Sequence, residues 1–191
     1  MKKITALLSG LTLVLSEPCL AQIENENLLQ PLPRGYKIGF QQTQGKLTIQ
    51  EAVPQNETVE NWTEMVTTQI FLGWKDVDPN KFYLAMKQRW ITSCKGGQVE
   101  TAVETISNGY PVKTWVSRCP LNTGTGKPEI TWFRAIKGND SFYVIQKAFK
   151  FEPSAEQIST WTQYLDSILV CDTRLPERAC PPIHKPPGIP L

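Results

Sequence analysis

The run Val99-Glu100-Thr101-Ala102-Val103-Glu104-Thr105-Ile106-Ser107-Asn108-Gly109-Tyr110-Pro111-Val112-Lys113-Thr114-Trp115-Val116-Ser117-Arg118-Cys119 decides the fold. Apolar and β-branched residues alternate with polar ones on either side of its centre, the period of a strand with two unlike faces. Asn108-Gly109 separates the two halves, and both residues tolerate the positive φ of a two-residue type I′ turn. The run therefore predicts a β-hairpin with strands from Val99 to Ile106 and from Tyr110 to Cys119.

Toward the C-terminus, the loop Asn122-Thr123-Gly124-Thr125-Gly126-Lys127-Pro128 leads to a further hairpin, Ile130 to Ile136 and Phe142 to Phe151, around Gly138-Asn139-Asp140. Ser154-Ala155-Glu156-Gln157 is a capping box, with Ile158, Trp161, Leu165 and Ile168 as the apolar stripe of the helix behind it. Toward the N-terminus, Gly96-Gly97 closes a helix over 79–93. Asp78-Pro79 opens it as N-cap and first-turn proline, and Phe82, Ala85, Met86 and Trp90 recur at helical spacing. Ahead of that helix, Met65 to Leu72 is dense in β-branched residues, and Tyr36 to Phe40 and Lys46 to Gln50 form a hairpin across Gly45. No βαβ unit demands a parallel sheet, so the order predicts an α+β fold, an antiparallel β-sheet packed by two main helices.

Lys2 and Lys3 precede an apolar run from Ile4 to Leu15 and a small-residue step at Ala21, the pattern of a signal peptide over residues 1–21. The run is too short to span a membrane, which takes about 20 residues. Residues 22–32 read as a polar leader, residues 33–180 as a single α+β domain, and residues 181–191 as an extended, mobile proline-rich tail. Without Lys2, Lys3 and Glu17 the charge falls from 20 basic against 18 acidic residues to 18 against 17. That balance gives no electrostatic reason to expect nucleic acid or anionic lipid as partner. Four cysteines remain in a chain addressed to an oxidising compartment, and they are expected to form two disulfides. Of the three pairings, Cys94 with Cys119 and Cys171 with Cys180 join segments that the fold brings together.

Chemistry is sparsely marked. The one histidine, His184, lies in the tail, so triads and histidine metal sites are not expected, and no cofactor or metal is implied. G-x-S-x-G, S-x-x-K and H-E-x-x-H are absent. Gly124-Thr125-Gly126-Lys127 lacks the upstream glycine and following hydroxyl of a phosphate loop, with Leu121 and Pro128 in those positions, and reads as a turn. Two constellations remain. Glu60, Glu64 and Glu129 near Arg134 would supply paired carboxylates or, on a solvated face, simple ion pairs. Trp62, Glu64, Trp132 and Arg134 are the candidate ligand-binding residues, a groove for a peptide, glycan or lipid fragment. Asp172, Arg174, Glu177 and Arg178, inside the Cys171–Cys180 loop, read as a solvated cap on the last helix.

Glu60-Asn61-Trp62-Thr63-Glu64-Met65-Val66-Thr67, Cys119-Pro120-Leu121 through Gly126-Lys127-Pro128-Glu129 to Trp132-Phe133, and Val170-Cys171-Asp172-Thr173-Arg174 to Glu177-Arg178-Ala179-Cys180-Pro181 together resemble a family of short exported proteobacterial proteins with no assigned activity. The resemblance covers about Pro33 to Pro181 and implies compartment and fold but no catalytic residues. In element order the chain is also similar to the Mog1/PsbP-like group of α/β/α sandwiches, accessory proteins that bind partners. The expectation is an exported, periplasmic or secreted monomer, a non-enzymatic accessory protein that binds an unknown protein or a small envelope ligand. A secreted carboxylate-dependent hydrolase and an interaction factor acting outside the cell are the alternatives.

Overall fold

In the computed structural model, which describes residues 24–181, Asn108 and Gly109 have φ of 49° and 75°, and the hairpin forms around them as the type I′ reading requires. The strands are β1 (Glu26–Leu29), β2 (Tyr36–Gln44), β3 (Leu47–Pro54), β4 (Glu64–Leu72), β5 (Gln98–Val99), β6 (Val103–Ser107), β7 (Tyr110–Asn122), β8 (Lys127–Lys137), β9 (Ser141–Phe149) and β10 (Leu169–Asp172). The helices are α1 (Pro79–Ser93) and α2 (Ala155–Ser167), and a 3-10 turn spans Pro176–Arg178. The signal peptide assigned to residues 1–21, and all of the proline-rich tail beyond Pro181, His184 included, lie outside the described residues.

Eight strands form one antiparallel sheet in the order β2-β3-β4-β9-β8-β7-β5, with β6 also paired to β7. Central β9 is buried along almost its whole length. Alternate residues of β9 face opposite ways. Tyr143 and Ile145 pack with Trp161, Leu165 and Ile168 of the α2 region, while Phe142 and Val144 pack with Phe82, Tyr83 and Met86 of α1. The helices thus cover opposite faces, an α/β/α sandwich. Each begins as the sequence dictates: Asp78 Oδ1 accepts from the Asn80 and Lys81 N–H groups at 2.7 and 3.2 Å, and Ser154 and Gln157 complete the capping box.

Both disulfides join the expected partners, Cys94 with Cys119 and Cys171 with Cys180. The first ties the end of α1 to β7, and the second closes a loop after β10.

Two features differ from the sequence expectation. The strand foreseen from Val99 to Ile106 is broken into β5 and β6: Glu100 still donates its N–H to the Val116 carbonyl at 2.9 Å, but its own carbonyl accepts from the Tyr83 hydroxyl of α1 at 2.9 Å, and residues 101 and 102 leave the ladder. The polar leader also contains a strand, since β1 pairs with β10 from Glu26↔Asp172 to Leu29↔Leu169. It is held at one end by the Glu26 carboxylate. That group accepts from the backbone N–H groups of Asn139, Asp140 and Ser141 at 2.5, 3.2 and 3.1 Å and from the Tyr143 hydroxyl at 2.9 Å. Only glycine fits at 138, where a Cβ would overlap the same carboxylate.

Candidate functional site

The sheet register separates the carboxylates that the sequence had grouped. Glu64 stands opposite Phe149 and Phe149 opposite Ile130, so Glu64 shares a face with Ile130 and lies on the other face from its neighbour Glu129. Glu129 accepts from the Asn122 side-chain amide at 2.7 Å. Exposed Glu60 has its carboxyl held below the usual range by the Thr58 hydroxyl and its own backbone N–H. Arg134 pairs with Asp166 of α2 at 3.1 Å. The three glutamates and Arg134 do not converge.

Glu64 belongs instead to a cluster that sequence reasoning missed. Lys147, on β9 and facing α2, has a side chain with 0% exposure. Its Nζ donates to Glu64 Oε2 at 2.7 Å and to the Tyr36 hydroxyl at 2.8 Å, and that hydroxyl donates to the same Glu64 oxygen at 2.7 Å. Aromatic faces enclose the rest of the ammonium, Trp161 at 3.7 Å, Phe149 at 4.3 Å and Tyr36 at 5.0 Å. Burial pushes the amine down to about 8 against the opposing pull of Glu64. Burial, with Glu64 beside it, pushes the Tyr36 phenol well above its ordinary value. An amine so tuned has the chemistry of a base or nucleophile. Its nitrogen has no solvent face, however, and its donors point at Glu64 and Tyr36, so in this arrangement it fixes β9 to β4 and β2. The detectable signal was a lysine inside a strand buried on both sides.

Trp132 and Arg134 occupy the same face as Glu64, further along β8. Trp132 stands opposite Lys147 in the register, meets Phe149 edge-on at 5.6 Å and lies under the Arg118 guanidinium at 6.0 Å. It also lines an open groove of about 380 Å³ at the break between β5 and β6. Val103, Val116 and Leu165 supply the groove's apolar lining, Thr101, Thr114 and Thr162 its hydroxyls, and Glu100 and Asp166 its charge. Next to it, buried Arg134 uses one guanidinium nitrogen on Asp166, while its Nε has no partner among the described residues. Trp62 lies elsewhere, stacked on the Lys150 ammonium at 3.8 Å. Burial lowers that amine, and Glu129 opposes the effect. The four candidate binding residues therefore occupy three sites: Glu64 with Lys147, Trp132 and Arg134 at the groove, Trp62 on Lys150.

The charged loop after β10 is a cross-tie. Arg174 donates to the buried Asp172 carboxylate through Nε at 2.8 Å and through Nη2 at 2.6 Å, and Nη2 also reaches Asp140 at 2.6 Å. These bonds hold the Asp172 carboxyl below its usual range. The Gly124–Lys127 segment is a turn in which the Thr125 and Gly126 N–H groups donate to the Asn122 carbonyl. Among the described residues no group of three or more histidines, cysteines or carboxylates is placed to hold a metal ion, and no helix is long and apolar enough to cross a membrane.

No protein-family model matches the chain, and no curated protein is similar enough in sequence to count as a relative. Among solved structures, the chain is similar to the Ran-binding protein Mog1p of Saccharomyces cerevisiae at 10% identity and a TM-score of 0.42, over 74% of this chain and 84% of that one. A point mutant of Mog1 gives the same identity and TM-score over 73% and 84%. LpqN, involved in cell envelope biogenesis of Mycobacterium tuberculosis, is similar at 8% identity and a TM-score of 0.44, over 78% and 86%. The architecture foreseen from the element order, two helices on opposite faces of a large antiparallel sheet, rests on the chain's own strand order and packing. At these scores the likeness goes no further.

Proposed function

We propose that the chain is an exported, non-enzymatic accessory protein of the bacterial envelope that binds a protein segment or a small envelope component in the groove beside Trp132. The observation that carries this reading is the contrast between two sites. The cluster with reactive chemistry, Glu64–Lys147–Tyr36, is closed to solvent at its nitrogen. The groove at the β5–β6 break is open, with an apolar floor and a few polar groups, the composition of a binding site. Two disulfides, each closed within the folded unit, support an oxidising compartment. A hydrolase built on Glu64 and Glu129 has less support, because these carboxylates lie on opposite faces of the sheet.

Native mass spectrometry of the chain recovered gently from the periplasm and from the medium of its host tests the reading. A discrete bound mass is expected on the wild type and not on Thr162→Arg, a change at an exposed groove residue that plugs the site without entering the core. A bare chain from both fractions, or the same mass retained by the variant, removes the groove from the account.

A further inference from the structure

β6 divides two cavities, and the second one holds a buried cation whose counter-ion is a largely exposed side chain. Val103 faces the groove described above; Glu104 and Ile106 face the other way, toward the start of α1. Together with Pro79, Asn80, Pro111, Lys113 and Lys137 they line a cavity of about 610 Å³, the size of a small-molecule site. We propose that this cavity binds a small carboxylate carried on a short apolar body.

Lys113 is the anchor. Its side chain is 5% exposed, and its ammonium lies 5.6 Å from the Tyr83 ring and donates to Asn80 Oδ1 at 2.8 Å. A buried ammonium needs an anion beside it. Glu104 fills that role at 2.6 Å, but from an edge strand and with a side chain that is 72% exposed. The cation is held in place by the burial of its own stem. The anion is held by one contact, and solvent accepts it readily. The Glu104 carboxylate therefore stands where the head group of a ligand would sit, and exchanging one carboxylate for another leaves Lys113 neutralised throughout.

Two further observations give the ligand its character. Lys137 lines the same cavity and has no carboxylate within ion-pair range among the described residues. The other acid of the cavity, Asp78, is committed to capping α1. Once Glu104 swings out, two ammonium groups face one committed carboxylate, which favours a single incoming anion. Ile106 is 77% exposed, the most exposed large apolar residue described, and with Pro79 and Pro111 it offers a dry surface at the rim for the body of the ligand. This site stands independently of the Trp132 groove.

The test titrates the full chain with N-acetyl-leucine, with N-acetyl-leucinamide as its uncharged counterpart and with inorganic phosphate as a bare anion, following backbone amide resonances by NMR. Saturable shifts are expected at Asn80, Glu104, Ile106 and Lys113 with the acid, and weaker or no binding with the other two probes. Glu104→Gln, which removes the resident competitor, should tighten acid binding about two- to fivefold, the worth of a solvent-facing ion pair. Lys137→Met, at a partly exposed position, should weaken it, and the comparison does not depend on whether Lys113→Met folds. Equal affinity for the acid and its amide, equal affinity for the acid and phosphate, or no gain in Glu104→Gln overturns the proposal.

Discussion

Replacing Lys147 with methionine should flatten the pH dependence of stability above neutrality. The folded chain holds the amine at about 8, against 10.5 when it is free, so between these values the folded chain has released a proton that the unfolded chain still carries. Stability rises with pH wherever the unfolded state binds more protons. The wild type should therefore gain stability as pH climbs through 8 toward 10.5. Below 8 the buried ammonium is charged in both states, and its burial weighs against folding in full. Integrating the linkage relation from pH 7 to 9.5 gives a gain of about 2 kcal/mol, or roughly 1 M in urea midpoint for a denaturant slope near 2 kcal/mol/M. The Tyr36 phenol, pushed upward by burial, stays protonated across this window. Lys147→Met keeps most of the stem and loses the amine, and Glu64, 20% exposed, can hydrate in its absence. Urea unfolding of both chains at pH 7.0, 8.0 and 9.5 isolates the effect, because titrations elsewhere are common to the pair. Parallel curves in the two chains would refute the account of Lys147 as a buried, desolvated amine.

Gly138→Ala should dislodge the Glu26 carboxylate from its three backbone donors, costing about 1–3 kcal/mol and releasing β1; amide exchange at Leu28 should accelerate, and unchanged protection there would contradict the strap. Serine replacement of the Cys94–Cys119 pair, 25 residues apart, should cost roughly 3–4 kcal/mol, and of the Cys171–Cys180 pair, 9 apart, roughly 2–3 kcal/mol, on loop-closure grounds. Thermal or urea unfolding under non-reducing conditions measures both, and a reversed order would show that the loops contribute through native-state packing instead.

The elements that could be read directly are those whose signals are local. Asn108-Gly109 announces its turn by backbone sterics, and Ser154 with Gln157 announces a helix start by reciprocal capping, so neither depends on the rest of the chain. The cysteine pairing followed from the order of those elements. What the sequence did not disclose depends on partners far away. The Glu26–Leu29 segment carries no alternating β-branched pattern, and it becomes a strand because Leu169–Asp172 and the Asn139–Ser141 backbone receive it. The break after Glu100 falls where a tyrosine hydroxyl from α1 takes the Glu100 carbonyl, and nothing near Glu100 signals it. The site residues show the same division. Glu64 was legible as a carboxylate of interest, but its partners Tyr36 and Lys147 lie 28 and 83 positions away, and only the register brings them together.

The β1–β10 pair also bears on how the chain matures. Its first described strand is matched to one 146 positions later at Glu26↔Asp172, so the contact closes nearly the whole folded length. A chain emerging from its N-terminus can build the hairpins as it lengthens, since their contacts are near in sequence. It cannot seal the first strand until β10 arrives, and the Cys171–Cys180 bridge then locks the segment just beyond it. Completion of the fold is thereby deferred until Leu169–Asp172 has been made, and a chain interrupted before Leu169 leaves its leading strand unpaired, an open edge for quality control to recognise.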